Sequence, residues 1–221
     1  MCARVNYKFF LKFGQRIHLE EFQKGKIYMN SLSWFANQPE ENFIGDRLEG
    51  LRGVKSIPEP SFFKLRAKDK EFHFKSVGPS LLYPNRRYQG NIFCLYGGSE
   101  DLLEKYLFGL RGKLPIQDSF GKSEAFALIN KPRLLIEKIV DYCKDNAYEV
   151  SYNRVDYKDY SKIDTALTPF CKRHKYSHQH EFRIYIKKNE DGPLILDIGD
   201  ISDFCHIGYT KHHQNIEFRV K

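Results

Sequence analysis

Apolar and polar residues alternate in many short stretches of the chain, a spacing that is typical of β-strands. The first such stretch, VNYKFFLKF, is rich in the aromatic and aliphatic side chains that favour strands. The pattern predicts strands at Val5–Phe13, 26–30, Ser61–Arg66, Glu71–Val77, Asn91–Tyr96, 124–130, Tyr148–Tyr157, His180–Lys187, Leu194–Ile198 and Ile216–Val220.

Fewer stretches carry apolar residues at the spacing of a helix. One helix is predicted to end at Gly25, another to begin with Ser99 as its cap, and a third to have Pro132 in its first turn. Shorter helical segments are expected after a cap at Ser31 or Ser33 and near Lys162–Leu167. Since strands and helices do not alternate regularly, we predict an α+β fold with mixed, largely antiparallel sheets and flanking helices.

Length and composition favour one domain over residues 1–221 with its own hydrophobic core. No apolar run is long enough to cross a membrane, and the first residues lack the apolar region of a signal peptide. The five cysteines are scattered and form no Cys-x-x-Cys pair, which favours reduced thiols over disulfides. These features predict a cytoplasmic protein with no membrane partner.

The chain is basic, with 36 Lys and Arg residues against 28 acidic ones and a net charge of +8. Such an excess favours anionic partners, of which RNA and DNA are examples. Arg86, Arg87 and Tyr88 lie together in a turn-rich stretch. Basic side chains hold phosphates and aromatic rings stack on unpaired bases, so these three are candidate substrate-binding residues.

The late segment HKYSHQHEFRIYIKK carries the strongest candidate chemistry. If it forms a strand from His180, alternation places His180 and Phe182 on one face and Gln179, Glu181 and Arg183 on the other. Gln179 and Glu181 are then two residues apart and point the same way. An alternative is a surface row in which Glu181 pairs with Arg183 or with a lysine across the sheet.

This Gln-x-Glu pair resembles the signature of the mono-ADP-ribosyltransferases. The resemblance implies that Glu181 stabilises the positive charge that develops on the nicotinamide ribose of NAD as nicotinamide leaves. It also implies that Gln179 orients the incoming nucleophile. Catalysis of this kind uses NAD as a substrate and needs no metal.

The order of elements is similar to that of bacterial and phage ADP-ribosyltransferase-like domains of the toxin and abortive-infection type. The matching pieces are YKFFLKF, KIYMNSLSWF, GDRLEG, NIFCLY, FGKSEAFALI and FCKRHKYSHQHEFRIYI. The resemblance implies an ADP-ribosyltransferase-like fold and a toxin or phage-defence effector that modifies RNA, DNA or a protein. A partner antitoxin protein is expected with such an effector.

Cofactor contacts follow from the same resemblance. In these transferases the first strand presents an arginine or histidine to NAD, and here Lys12 lies in that strand and Arg16 follows it. Arg16 is the first choice because a guanidinium can grip a diphosphate with two hydrogen bonds. The middle strand often carries a Ser-Thr-Ser-like motif, where this chain has Phe93 to Tyr96. Tyr96 is therefore a candidate to stack on NAD, or else to fill the core.

The irregular stretch from Gln38 to Pro60 contains GDRLEG, in which Asp46 and Glu49 are three residues apart. The two acids become neighbours if the segment turns helically. They are candidates for the substrate cleft, and the alternative is a capped turn with exposed acids. A stretch this long without periodicity is usually functional or mobile.

Two further functions remain open at this stage. One is a noncatalytic nucleic-acid-binding or regulatory module that uses the same basic and aromatic residues. The other is a metal-dependent nuclease. Thiolate and imidazole are zinc ligands, so the run of Cys171, His174, His178 and His180 is a possible metal site, although its spacing fits no standard zinc finger.

Overall fold

The computed structural model of the protein describes residues 6–40, 44–57, 59, 61–75, 78, 80–107, 116 and 123–210. The strands are β1 (Tyr7–Gly14), β2 (Lys26–Ser31), β3 (Gly53–Ile57), β4 (Phe62–Ala67), β5 (Lys70–Lys75), β6 (Ser80–Leu82), β7 (Gly90–Ser99), β8 (Ala125–Ile129), β9 (Glu149–Arg154), β10 (Asp156–Lys158), β11 (Asp164–Ala166), β12 (Cys171–Arg173), β13 (Glu181–Lys187), β14 (Leu194–Asp197) and β15 (Cys205–Tyr209). The helices are α1 (Arg16–Gln23), α2 (Leu32–Asn37), α3 (Glu100–Leu107) and α4 (Pro132–Asp145). Two short 3-10 helices span Tyr160–Lys162 and His174–Gln179.

The long strand β7 organises an eight-stranded antiparallel sheet. Along one edge of β7, β13 pairs with residues Gly90 to Tyr96, and β9 pairs with the far side of β13. The other edge is divided: β2 pairs at Asn91 and Ile92, and β1 pairs from Tyr96 to Ser99. Strand β14 extends the sheet beyond β2, while β8 and β15 extend it beyond β1. The predicted α+β class with largely antiparallel sheets is thereby confirmed, and β10 with β12 is a parallel pair.

Helices α1 and α4 cover one face of this sheet and enclose the main hydrophobic core. Leu19 and Phe22 of α1 and Leu135 of α4 pack there with the apolar side chains of β13, which include Phe182 and Ile184. The period-two pattern of β13 therefore gave the correct core face. A second cluster of buried residues joins the turn before β3 to the segment around β11 and β12. It contains Leu48, Leu51, Val54, Tyr160, Leu167 and Cys171.

The predicted helix boundaries are confirmed where a cap defined them. Ser31 Oγ accepts a hydrogen bond from the amide of Trp34 at 3.2 Å, and Ser99 Oγ accepts one from Leu102 at 3.3 Å. Pro132 begins α4. Gly25, in the turn after α1, has a φ of +95°, a conformation that glycine adopts without steric cost.

Other boundaries were wrong. The strand predicted at His180–Lys187 begins instead at Glu181, because His180 has a φ of 41° and ends the preceding 3-10 helix. The stretch from Gln38 to Pro60 contains β3, and the helical segment near Lys162 is a single 3-10 turn followed by β11. The strand predicted at Ile216–Val220 lies outside the described residues. None of the helices in the described ranges has the length and apolar character to cross a membrane.

Candidate active site

Glu181 is the first residue of β13 and lies directly across from Tyr96 of β7. Gln179 ends the 3-10 helix before it, and His180 turns the backbone between them. The two side chains nevertheless reach the same place. The Lys172 ammonium donates to Gln179 Oε1 at 2.8 Å and to Glu181 Oε2 at 3.1 Å.

A set of four buried charged residues surrounds this point, and we call Glu49, Lys172, Glu181 and Arg183 the ion-pair cluster. Arg183 donates from Nε to Glu181 Oε1 at 2.7 Å. Its two terminal nitrogens donate to the two carboxylate oxygens of Glu49 at 2.8 and 3.2 Å. Arg183 also donates to the Pro169 carbonyl. Glu49 and Glu181, predicted separately from two distant motifs, are therefore held by one guanidinium.

Opposite charges within the ion-pair cluster, rather than burial, set the direction of its pKa shifts. Burial alone would raise the pKa of Glu181, but the charges of Arg183 and Lys172 outweigh it and hold that pKa well below its usual range. Burial would likewise lower the pKa of Lys172, and Glu181 and Glu49 together raise it instead. Glu181, Lys172 and Arg183 therefore stay ionised at neutral pH. The formal charges of the cluster, two negative and two positive, balance.

The GDRLEG turn supplies one wall of the site. The Glu49 amide donates to the Asp46 carbonyl at 2.7 Å, which confirms the predicted turn, but both acids are buried rather than exposed. Asp46 pairs with Arg173, and Arg173 also pairs with Glu40. The pKa of Glu40 falls to about 2, because hydrogen bonds from Lys175 and Arg173 outweigh the opposing effect of burial. Asp46 thus anchors the turn, and Glu49 points into the ion-pair cluster.

Lys12 lies where one edge of β7 passes from pairing with β2 to pairing with β1. Its ammonium donates to the Cys94 carbonyl at 2.9 Å and lies 4.6 Å from the centre of the Phe93 ring. Cys94 falls between the stretch of β7 that pairs with β2 and the stretch that pairs with β1, so Lys12 satisfies a carbonyl at the break between them. Burial lowers the pKa of Lys12, and electrostatic interactions with Cys94 and Glu181 oppose that shift.

The other two candidate NAD contacts are placed differently. Tyr96 is buried in an apolar cluster beside β1, with its ring 5.6 Å from that of His180. Arg16 lies at the start of α1, pairs with Glu20 at 2.7 Å and stacks on Tyr209. Tyr96 is therefore adjacent to Glu181 on the sheet, whereas the side chain of Arg16 contacts α1 and β15 and its amide donates to Glu124.

Arg86, Arg87 and Tyr88, the candidate substrate-binding residues, also differ in their surroundings. Arg87 donates to the carbonyls of Glu49 and Arg47, at 2.5 and 2.8 Å, and so braces the GDRLEG turn. Tyr88 donates to the Leu167 carbonyl at 3.0 Å. Arg86 is exposed. Of the three, Arg86 alone has the exposed side chain that contact with a phosphate requires.

The cysteine and histidines of the late segment are separated by the fold. Cys171 packs in the second core cluster, where the Thr168 amide donates to its sulfur at 3.5 Å. His178 Nδ1 lies 3.1 Å from the Lys175 carbonyl, and His180 contacts Tyr96. In the part of the chain that the structure describes, no three His, Cys, Asp or Glu side chains are grouped to hold a metal ion.

Two members of the ion-pair cluster were not predicted as site residues: Arg183 was considered only as a partner of Glu181 in the alternative interpretation, and that pair is present. Arg183 was visible as a lone charge between apolar residues of a strand, a pattern that indicates a buried ion pair. Lys172 carries no comparable signal. Tyr157 is a third missed contact: its hydroxyl accepts from the Glu181 amide at 2.9 Å, and burial followed by the Glu181 charge raises its pKa.

A cavity of about 470 Å³ lies away from the ion-pair cluster, against β3, β6 and β11, and Lys55, Tyr83 and Asp164 are among its lining residues.

Comparisons of the chain with protein-family models, curated proteins and solved structures gave no match. Functional inference therefore rests on the geometry around Glu181.

Proposed function

We propose that the protein is a NAD-dependent mono-ADP-ribosyltransferase, an effector of the toxin or phage-defence type that modifies RNA, DNA or a protein. One observation carries the proposal. The side chains of Gln179 and Glu181 converge on a single cation, the Lys172 ammonium, at 2.8 and 3.1 Å.

A site that holds a cation between a carboxylate and an amide has the chemistry that ADP-ribose transfer requires. As the bond to nicotinamide breaks, positive charge develops on the ribose, and a fixed carboxylate stabilises it. Glu181 suits this role because its low pKa keeps it ionised. The neutral amide of Gln179 orients the acceptor without neutralising Glu181.

The arrangement of strands supports the same proposal. The family resemblance assigns NAD contacts to the first strand, the middle strand and the glutamate strand, and β1, β7 and β13 are consecutive neighbours in the sheet. Tyr96 of β7 lies directly across from Glu181, and Lys12 of β1 donates to the β7 backbone at Cys94. We therefore retain both as NAD contacts, with Arg16 assigned to the diphosphate.

Lys172 sets a condition on the proposed reaction. Its ammonium occupies the position next to Glu181 and Gln179, so the ribose must displace it when NAD binds. The place of the ammonium is then taken by an uncharged ribose, and a positive charge returns beside Glu181 only in the transition state, as the bond to nicotinamide breaks. Arg183 remains in place throughout and fixes the other carboxylate oxygen.

The test uses the full chain, NAD labelled in the ADP-ribose portion, and cell extract. Glu181→Gln keeps the shape of the side chain, removes its charge, and is expected to reduce label transfer by about 100-fold or more. Glu149→Gln is the matched control, because Glu149 is an exposed glutamate that pairs with Lys187 on β9 and β13. Failure of the unaltered protein to transfer label, or equal transfer by Glu181→Gln, contradicts the proposal.

The burial of Glu181 specifically favours one second candidate, a noncatalytic nucleic-acid-binding module. Both of its carboxylate oxygens are engaged by Arg183 and Lys172, and only 4% of the residue is exposed. In that case Glu181 serves folding alone. Glu181→Gln then lowers the unfolding temperature, and neither protein consumes NAD while both retain salt-sensitive binding to RNA.

A further inference from the structure

The hairpin formed by β4 and β5 is an insertion between β3 and β6 with a two-stranded sheet of its own. Its cross-strand pairs include Phe63 with Phe74 and Leu65 with Phe72. Nearly all of its side chains are exposed. A two-stranded hairpin has little stability alone, so exposed apolar residues on both of its strands call for a functional explanation.

Four of the five large apolar residues of the hairpin lie on one face. Phe63, Leu65, Phe72 and Phe74 share that face because they form two adjacent cross-strand pairs. Leu65, Phe72 and Phe74 are 54%, 43% and 53% exposed. The opposite face, which we call the polar face, carries Phe62 and centres on Glu71, which pairs with Lys64 and Arg66.

The rings of Phe72 and Phe74 lie side by side on the exposed face of β5. Their centres are 6.5 Å apart and their planes differ by 22°. That distance is within the range of contact between aromatic rings. Exposed, nearly parallel rings provide faces on which unpaired bases stack.

The charge of the hairpin matches a nucleic-acid strand. Residues 62–75 contain three lysines besides Lys64 (Lys68, Lys70 and Lys75), together with Arg66, against the two acids Asp69 and Glu71. Glu71 is already neutralised by its partners on the polar face. Within the described ranges no ion pair engages Lys68 or Lys70. Lys70 lies across from Ala67 on the face of Phe72 and Phe74, and Lys68 lies at the tip, so both side chains can reach phosphates beside that face.

We propose that the β4–β5 hairpin binds single-stranded RNA, with unpaired bases stacked on Phe72 and Phe74 and phosphates on Lys68 and Lys70. RNA is favoured because unpaired, unstacked bases are its ordinary recognition elements. Insertion into a membrane is disfavoured by the charged tip, Lys68–Lys70, and pairing of two hairpins is opposed by their like charges. This site does not depend on transferase activity.

The test measures fluorescence anisotropy of a labelled, unstructured RNA oligonucleotide with the full chain. Removal of both rings in Phe72→Ala/Phe74→Ala is expected to weaken binding by about tenfold or more. Phe62→Ala is the matched control, because Phe62 is exposed on the polar face, and it is expected to leave affinity unchanged. Lys68→Gln/Lys70→Gln is expected to weaken binding and to flatten its dependence on salt.

Four outcomes overturn the proposal. They are equal loss in the Phe62 control, equal affinity for duplex RNA, tighter binding of single-stranded DNA, and binding of anionic vesicles in preference to RNA. Circular dichroism of each variant confirms that the fold is retained, since all the substituted side chains of the hairpin are exposed. Failure of the hairpin to bind RNA would not change the result expected for Glu181→Gln in the NAD assay.

Discussion

Arg183 is a fully buried cation, and its removal gives the sharpest test of the ion-pair cluster. The substitution Arg183→Met keeps much of the side-chain volume but removes every hydrogen bond to Glu181, Glu49 and the Pro169 carbonyl. Glu49 is then left with Lys172 alone, whose ammonium lies 4.0 Å away. Breaking a buried pair by removing one partner costs about 3–5 kcal/mol of folding free energy.

That loss is large against a total stability of about 5–15 kcal/mol for a domain. Urea unfolding followed by far-ultraviolet circular dichroism measures it, provided that the slope with denaturant stays constant. The matched control is Arg133→Met on α4, because the Arg133 side chain is 93% exposed and pairs with Glu137. Its expected cost is below about 1 kcal/mol.

A second substitution tests the cause of the loss. If unpaired carboxylates cause the destabilisation, adding Glu49→Leu to Arg183→Met recovers part of it, with a coupling energy of about 0.5–3 kcal/mol. A cost for Arg183→Met equal to that of Arg133→Met would refute the reasoning. Water would then reach the guanidinium, and the ion-pair cluster would behave as a surface network.

Two more predictions concern acid stability and packing. Because the pKa of Glu40 is about 2 in the fold against 4.5 ordinarily, its contribution is complete above about pH 4.5 and is lost as pH falls towards 2. Glu40→Gln should therefore lower the free energy of unfolding by about 1–2 kcal/mol at pH 7 and by nothing near pH 2, as measured by urea unfolding at a series of pH values. A difference in unfolding free energy that does not change with pH would contradict this. On α4, Leu135 is 0% and Leu134 36% exposed. Leu135→Ala should cost about 2–5 kcal/mol and Leu134→Ala below about 1 kcal/mol in the same assay. Equal losses would contradict the placement of Leu135 in the core and of Leu134 at the surface.

Local patterns in the sequence predicted much of the fold. Alternation identified the apolar face of β13, and the caps Ser31 and Ser99 located two helix starts. Both kinds of signal depend on residues a few positions apart, which is why they are readable without tertiary structure. The β4–β5 hairpin was also predicted as two strands, but alternation does not reveal that both faces are exposed.

The ion-pair cluster was predicted only in part. Alternation placed Glu181 and Arg183 on one face, and the GDRLEG motif drew attention to Glu49. Their meeting depends on a contact between residues 134 positions apart, for which no local periodicity exists. Charged residues are usually exposed, so the polar row of β13 suggested a surface, whereas mutual pairing makes its burial tolerable.

The divided edge of β7 has a consequence for folding during synthesis. The partners β1 and β2 precede β7, so one edge can pair as soon as β7 leaves the ribosome. The opposite edge waits for β13, since Gly90 pairs with Lys187. At ~5–20 residues per second, that edge stays open for roughly 5 to 20 s, and the nascent chain exposes an unpaired apolar strand to aggregation throughout that interval.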